Sequence, residues 1–199
     1  MAGVGAGQGR HGNCVSRFGA GDVILTDREI ASALKFGQIS IEPRPQLDAI
    51  TSTAIDLTLA RKFTTWDASP GVPLRPGAKG HSYSHLAKFQ KQEVVDTFEL
   101  KPQSFVLAWT AEIIRIPYSS RLAARVEGKS SIARLGVGVH VTAPTIHSGF
   151  AGQIQLEMFN LGPHSILLDA GMRICQLIFE LTLGIPEKGY DGGFLDQTG

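Results

Sequence analysis

The residues best suited to chemistry lie close together, between residues 126 and 157. A turn of sequence Gly-Lys-Ser-Ser spans residues 128–131, and Arg134 follows it. The turn combines a permissive glycine backbone, one ammonium group, two hydroxyls and backbone N–H groups, which suit phosphate oxygens at a helix start. If residues 130–135 form one helical turn ended by Gly136, Ser130 and Arg134 face the same side. The sequence predicts a phosphate-binding turn, and a capped surface helix is the alternative.

A single acid, Glu157, stands on the polar side of a predicted strand. Gln153, Gln155 and Glu157 alternate with apolar residues, which is the period of a strand. Glutamate is disfavoured in strands unless it has a partner or a task, and a solvated outer face is the alternative explanation. The loop before it, residues 143–152, carries glycines that let the backbone approach a ligand and apolar residues that could line a pocket. Glu157 is therefore the second candidate for a functional group.

Three longer stretches carry a resemblance to a known family. They read GKSSIARLG, HVTAPTIHSGFAGQIQLEMFN and DAGMRICQLIFE, in that order. Together they resemble the dCTP deaminase branch of the trimeric dUTPase superfamily, and the likeness covers roughly residues 24–199. The resemblance implies a mainly β protein, a distorted jelly roll or dUTPase-like β-barrel with a short N-terminal helix. It also implies a homotrimer with sites between subunits, in which one neighbour supplies the Gly-Lys-Ser-Ser turn.

The activity implied by the resemblance is hydrolytic loss of ammonia from C4 of the cytosine in dCTP, which gives dUTP. A water must be deprotonated and attack C4, and one carboxylate held against the base can perform the proton transfers. Glu157 matches that catalytic role, and Ser130 with Arg134 would fix the water and the developing charge. The substrate contacts implied are Lys129, Ser131, Ala143, Ile146, His147, Phe150, Gln155, Tyr190, Phe194 and Gln197.

The resemblance also implies a cofactor and partners. Mg²⁺ would accompany the triphosphate, bridging phosphate oxygens through waters, with no protein ligand of its own. Zinc is not expected, because zinc-dependent nucleobase deaminases need H-x-E with P-C-x-x-C and the sequence has neither. A Walker A loop is excluded too, since Ala123 stands where its first glycine is needed. The partners implied are dCTP, other copies of this chain and, as a candidate feedback inhibitor, dTTP.

Two other classes of protein remain compatible with these residues. A dUTPase or a bifunctional deaminase–dUTPase would cleave the α–β phosphoanhydride and produce dUMP. A non-catalytic nucleotide-binding protein would keep the same fold and most of the same residues. His147 bears on the first class, because the superfamily's loop usually has an aspartate there, ten residues before Glu157, which activates the attacking water in dUTPases. We therefore predict dUTP as the end product.

Length and composition indicate the general class of the protein. A length of 199 residues suits one domain, and 43% hydrophobic residues are enough for a core. A net charge of +1 does not indicate a protein that coats nucleic acid, and no apolar run reaches the ~20 residues of a membrane helix. Two cysteines, Cys14 and Cys175, favour the cytoplasm over an oxidising compartment. We predict a disordered glycine-rich extension (residues 1–22), a β domain (23–188) and a mobile C-terminal lid (189–199).

The predicted elements are one helix and many short strands. Thr26 and Glu29 form a capping box that begins the helix, and Gly37 ends it. The absence of repeated helical crossovers excludes a parallel α/β sheet and indicates a sandwich or jelly-roll barrel. A surface excursion is predicted at residues 67–92, with His81 and His85 exposed and not metal ligands, and a hairpin turn at residues 169–171. Strands are predicted at residues 39–41, 54–59, 97–100, 105–109, 112–116, 122–127, 153–158, 165–168 and 172–180.

Overall fold

The structure, a computed structural model, describes residues 23–67, 73–80, 82, 86 and 88–188. The predicted leader and lid, with Tyr190, Phe194 and Gln197, lie outside the described residues, as do His81 and His85. Most of the regular structure is β, as the sequence predicts. The elements of the described part are α1 (Asp27–Lys35), β1 (Ser40–Glu42), β2 (Ile55–Trp66), β3 (Gln90–Val94), β4 (Thr97–Leu100), β5 (Phe105–Arg115), β6 (Leu122–Gly128), α2 (Ser130–Ala133), β7 (Val137–Val139), β8 (Thr145–Ile146), β9 (Ala151–Asn160), β10 (Ile166–Asp169) and β11 (Arg173–Leu181).

Helix α1 begins at the predicted capping box. The backbone N–H of Thr26 donates to the Glu29 carboxylate at 3.2 Å, and the Thr26 hydroxyl donates to the same group. These bonds favour the ionised carboxylate and lower the pKa of Glu29. The helix buries Ile30 and Ala33, and the chain leaves it through Gly37 at φ 70°. The sequence therefore fixes both ends of this helix by local chemistry.

A curled antiparallel sheet forms most of the molecule. Its strand order is β7-β9-β5-β2-β11-β6-β8, with β1 added to β5 and β3 added to β2. Strand β2 pairs with β11 through its first residues and with β5 and β3 through its later ones. The register to β5 shifts between Leu59 and Phe63, which is where a bulged strand bends. Strand β2 thus bends where the sheet curls around the core.

The core lies inside this curl and is almost entirely aliphatic and aromatic. Phe63, Ile114, Leu156 and Phe179 are among the fully buried side chains. Cys175 is buried with them, and burial raises the pKa of its thiol, so it packs as an apolar side chain. No helix in the described part is long and apolar enough to cross a membrane.

The predicted strands differ from the structure in several places. The predicted strands at residues 105–109 and 112–116 are one strand, β5, whose register to β9 shifts between Trp109 and Ile113. A bulge explains the break in the pattern, because an extra residue moves the following side chains to the other face. The predicted surface excursion ends earlier than expected, since residues 90–94 form β3 on the side of β2.

The predicted hairpin between the last two strands is wrong. Strand β10 pairs with β4 in a separate two-stranded sheet, whereas β11 pairs with β2 and β6. The turn itself exists, with Gly171 at φ 83°. However, the N–H of Ala170 bonds the carbonyl of Asp96 and the N–H of Gly171 bonds that of Leu59. These bonds to other segments send the two strands into different sheets.

Candidate active site

The Gly-Lys-Ser-Ser turn forms the predicted single helical turn. Lys129 follows β6, and α2 spans Ser130–Ala133. The N–H of Arg134 bonds the carbonyl of Ser130 at 3.1 Å, so the two residues are one turn apart, as the spacing predicts. The side chains of Ser130, Ser131 and Arg134 are exposed. Gly136 then ends the turn at φ 93°.

Lys129 is tied to the core of the sheet. Its Nζ lies 2.6 Å from Oδ2 of Asp56, whose side chain is only 5% exposed. Gln176 donates from Nε2 to the other Asp56 oxygen at 3.2 Å. The predicted phosphate-binding ammonium is therefore held by a buried carboxylate that the sequence motifs did not single out.

Glu157 occupies the position predicted for it, on the less buried side of β9. Leu107 lies opposite it on β5. On its other side the chain leaving β7 passes close by, since the N–H of Val141 bonds the Glu157 carbonyl at 3.3 Å. The hydroxyl of Thr142 donates to Oε2 of Glu157. One carboxylate oxygen is thus oriented by a neighbouring side chain.

His140 lies beside Glu157 in a left-handed backbone conformation, with φ 57°. Its ring nitrogens are buried, and neither makes a hydrogen bond of good geometry within the described residues. Burial lowers the pKa of His140, while the charge of Glu157 and the Ala143 carbonyl act in the opposite direction. The imidazole is therefore kept neutral beside the candidate acid.

The loop before β9 divides its residues between core and surface. Ile146 and Phe150, predicted as pocket-lining residues, have their side chains in the core, each 6% exposed, so only their backbone can meet a ligand. Ala143 and His147 are exposed. Gln155 is half-buried and lies opposite Trp109 of β5. Gln155 and Glu157 are thus half-buried polar residues of β9, and the aromatic residue opposite Gln155 is itself buried, with Trp109 7% exposed.

The two halves of the predicted site have different partners within one subunit. No hydrogen bond or ion pair joins the side chains of Ser130, Ser131 or Arg134 to Glu157 within the part of the chain that the structure describes. Glu157 instead contacts Thr142, and Lys129 contacts Asp56. A single subunit therefore presents an acid bonded to its own loop and a cationic, hydroxyl-rich turn that makes no side-chain bond with that acid.

The described residues contain no group of three or more His, Cys, Asp or Glu side chains that could hold a metal ion. Mg²⁺ in nucleotide sites keeps several waters and is bound mainly by phosphate oxygens and one or two carboxylates. The hydroxyls and ammonium of residues 129–131 suit the phosphates themselves. The residues present thus fit a Mg²⁺ ion that arrives with a triphosphate.

Three residues of the site were missed by sequence reasoning. Asp56 gives a signal in hindsight, because it is a lone acid in the apolar strand stretch IDLTL. Thr142 gives none, since its partner Glu157 is distant in sequence. His140 gives none either, because its burial depends on how β7 meets β9.

Known proteins resemble this chain over most of its length. A family model described as dCTP deaminase-like matches residues 24–182. A dCTP deaminase of Rhodospirillum rubrum is 38% identical over 172 residues, which is 83% of this chain and 86% of the relative. A dUMP-forming dCTP deaminase of Methanosphaera stadtmanae is 34% identical over 181 residues, covering 88% of this chain and 90% of the relative.

A solved structure supports the fold. The crystal structure of 2′-deoxycytidine 5′-triphosphate deaminase from Agrobacterium tumefaciens superposes with a TM-score of 0.63 at 20% identity. The match covers 80% of this chain and 48% of that one, so the chain spans about half the length of the solved protein. The mainly β, dUTPase-like architecture predicted from the sequence is confirmed.

Proposed function

We propose, starting from the fact that this chain belongs to the dCTP deaminase-like family, that it catalyses the hydrolytic deamination of dCTP to dUTP and ammonia. One observation carries the assignment of the catalytic acid. The Glu157 carboxylate is half-buried and oriented by Thr142 at the edge of an open loop. A carboxylate held in this way can work on a base placed against it.

Glu157 moves the protons. With Oε2 oriented by Thr142, the carboxylate takes a proton from the water that attacks C4 and passes it to the ring nitrogen N3. It then takes the proton of the new C4 hydroxyl and passes it to the amino group, so that the C4–N bond breaks, ammonia leaves and the C4 carbonyl forms. Ser130 and Arg134, supplied by a neighbouring subunit, hold the water and the negative charge that develops. The neutral His140 beside Glu157 adds no competing positive charge.

The nucleotide is held by two sets of residues. Lys129 and Ser131 bind the triphosphate, and Mg²⁺ neutralises part of its charge when bound. Ala143, Ile146, His147, Phe150 and Gln155 line the sugar and base, with Ile146 and Phe150 acting through their backbone because their side chains are buried. Tyr190, Phe194 and Gln197 complete the set of proposed nucleotide contacts.

We propose a homotrimer as the working form. The support is that, among the described residues of one subunit, Glu157 makes no hydrogen bond or ion pair with Ser130 or Arg134, whose side chains are exposed. Sites between subunits bring an acid from one copy to a Gly-Lys-Ser-Ser turn from the next, a head-to-tail arrangement that closes into a ring. We propose the cytoplasm as its location and dTTP as a feedback inhibitor, because it shares the deoxyribose and triphosphate of the substrate.

The end product is expected to be dUTP. Relatives of both kinds, with and without dUMP formation in their names, are similarly related to this chain, so identity does not choose between them. We expect dUTP and not dUMP because of His147, which is exposed and offers no fixed negative charge to activate a water near the α-phosphorus.

The test is incubation with dCTP and Mg²⁺ followed by chromatographic separation of dCTP, dUTP and dUMP. We expect dUTP and ammonia in equal amounts and little hydrolysis of added dUTP. Substantial dUMP and pyrophosphate from purified protein would favour the bifunctional alternative. Tight dCTP binding with no product would favour the non-catalytic one. The variant His147→Asp tests the reason directly, since it restores the carboxylate and is expected to increase dUMP formation.

A further inference from the structure

We infer that Asp56 is a positioning residue for Lys129, which it holds at the start of α2. The inference rests on the proposed function, in which Lys129 binds the triphosphate. Asp56 itself lies in β2 and is buried. Its role is exerted through the lysine and not through contact with the nucleotide.

The ion pair between the two residues is close and shielded. Oδ2 of Asp56 lies 2.6 Å from Nζ of Lys129, and the side chains are 5% and 22% exposed. A buried carboxylate without a partner is strongly unfavourable, so Asp56 restrains the lysine as much as the lysine neutralises it. An ammonium group carries three N–H donors. With one directed to Asp56, the others remain for phosphate oxygens.

The carboxylate is itself held in place by the sheet. Gln176 donates to Oδ1 of Asp56 at 3.2 Å and lies opposite Asp56 in the pairing of β11 with β2. The same Gln176 lies opposite Glu127 in the pairing of β11 with β6, the strand that leads to Lys129. The contacts therefore span three adjacent strands and end at the predicted phosphate-binding turn.

Arg173 contributes charge but not the close contact. Its NH1 is 3.8 Å from the Asp56 oxygen that Lys129 contacts. The guanidinium is instead paired with Asp48 at 2.7 Å, which raises the pKa of Arg173. Lys129 is thus the cation that Asp56 orients, and Arg173 adds a second positive charge near the same carboxylate.

Two opposite effects follow from removing the Asp56 charge. Loss of the carboxylate frees the long lysine side chain, which must then be immobilised again when the nucleotide binds. Loss of a negative charge also increases the attraction of the turn for phosphate. We expect the first effect to dominate, because Lys129 and Arg173 already offset the charge of Asp56, whereas no other residue at the described site holds Lys129.

The experiment measures binding of inorganic tripolyphosphate by calorimetry, together with kcat and KM for dCTP. The isosteric variant Asp56→Asn should weaken tripolyphosphate binding and raise KM about tenfold, with kcat within about threefold of wild type. Lys129→Met should weaken binding at least as much. The double variant should be no weaker than Lys129→Met, since both changes remove the same interaction. A purely structural role for the pair would lower kcat or the stability of the fold as well, so the split between KM and kcat separates the two roles.

A matched control is Asp96→Asn, which removes an exposed carboxylate paired with Arg61 at 2.8 Å; it should change neither quantity. If Asp56→Asn does not fold, Gln176→Met carries the test, and a few-fold weaker tripolyphosphate binding with normal thermal unfolding is expected. Unchanged or tighter binding in Asp56→Asn, or in Gln176→Met where the first does not fold, would overturn the inference.

The same data separate this inference from the proposed function. Wild-type protein that binds tripolyphosphate through Lys129 and Asp56 but releases no ammonia from dCTP would retain the positioning role and lose the proposed activity. Wild-type protein that deaminates dCTP while Asp56→Asn matches it in tripolyphosphate binding would retain the activity and lose the positioning role.

Discussion

Two buried carboxylates of this molecule, Asp56 and Glu112, are satisfied in different ways. Both Glu112 oxygens accept the backbone N–H of Thr58 at 3.0–3.1 Å, and one accepts its hydroxyl at 2.7 Å. Glu112 is thus satisfied within the sheet, where it joins β5 to β2 at the bend. Asp56 instead takes a cation from the turn that follows β6. Of these two acids, Asp56 is therefore the one connected to the candidate site.

At the residue scale, the variant Glu157→Gln tests the assignment of the acid. It keeps the shape of the side chain and its bond to Thr142 but cannot accept the proton of the water. We expect kcat for ammonia release to fall by roughly 100-fold or more, while the affinity for dCTP stays within about tenfold of the wild type. The control is Glu127→Gln, which removes another half-buried carboxylate, bonded to Arg125 at 3.0 Å. Normal turnover by Glu157→Gln would show that another group is the base.

His140 gives a pH-dependent prediction for stability. Burial lowers its pKa in the folded protein below the ordinary value of 6.5, so the unfolded chain binds the proton more readily. Stability from this group is complete above about pH 6.5 and is lost as the pH falls from there towards the folded pKa. Asparagine tolerates the left-handed backbone, so the variant His140→Asn should lose less stability than the wild type at acid pH. The measurement is urea unfolding at pH values from roughly 8 to 5.

The matched control for His140 is His164→Asn, since His164 is exposed. It should leave the pH profile of stability unchanged. An acid-side loss in His140→Asn equal to that of the wild type would mean that other groups cause it.

At the element scale, the predicted phosphate-binding turn packs closely against the loop after β9. Gly136 ends α2 at φ 93°, and a Cβ there would lie 2.4 Å from the backbone nitrogen of Gly162. The N–H of Leu161 bonds the Gly136 carbonyl at 2.7 Å. The turn that carries Lys129 and Arg134 thus depends on a close approach between two segments.

The variant Gly136→Ala should therefore be strongly destabilising. It adds both left-handed strain and a backbone clash, and we expect a loss of more than about 2 kcal/mol in the free energy of unfolding. The control is Gly171→Ala, where φ is 83° but no atom lies within 4 Å of the added Cβ. It should cost only ~1 kcal/mol, from strain alone. Equal losses in the two variants would show that the close approach contributes nothing.

The helices, strands and turns also show how much of the fold can be predicted from the sequence. Helix α1 and strand β4 were predicted with correct bounds, because a capping box and a short alternating stretch are local signals. The hairpin at residues 169–171 was wrong, because the partners of β10 and β11 are set by bonds to distant segments at Asp96 and Leu59. A turn signal specifies a change of direction and not which strands pair.

At the scale of the whole molecule, some residues of the candidate site are recognisable from local sequence motifs and others only from contacts made in the fold. The sequence predicts Ser130, Arg134 and Glu157 as site residues because each lies in a recognisable local motif. Asp56 and Thr142 were missed because their role comes from contacts with residues 73 and 15 positions away. The family motifs thus predict which groups act, and the fold determines which groups hold them.

The whole-molecule prediction concerns the origin of each site. If Glu157 comes from one subunit and Ser130 from its neighbour, Glu157→Gln and Ser130→Ala inactivate different halves of a shared site. Subunits of the two inactive variants, unfolded and refolded together in equal amounts, should regain about a quarter of wild-type activity per site, because a quarter of the sites pair two intact halves.

Separately refolded variants, mixed afterwards without exchange of subunits, provide the control and should stay inactive. Co-refolding Glu157→Gln with Glu157→Gln/Ser130→Ala is a second control, since no site can then contain an intact Glu157. Regained activity in the first mixture alone locates the two halves on different copies, as we expect from the proposed homotrimer. No regained activity from a well-assembled mixed oligomer would place the complete site within one chain, and the loop carrying Thr142 would then have to bring Glu157 to α2 of its own subunit.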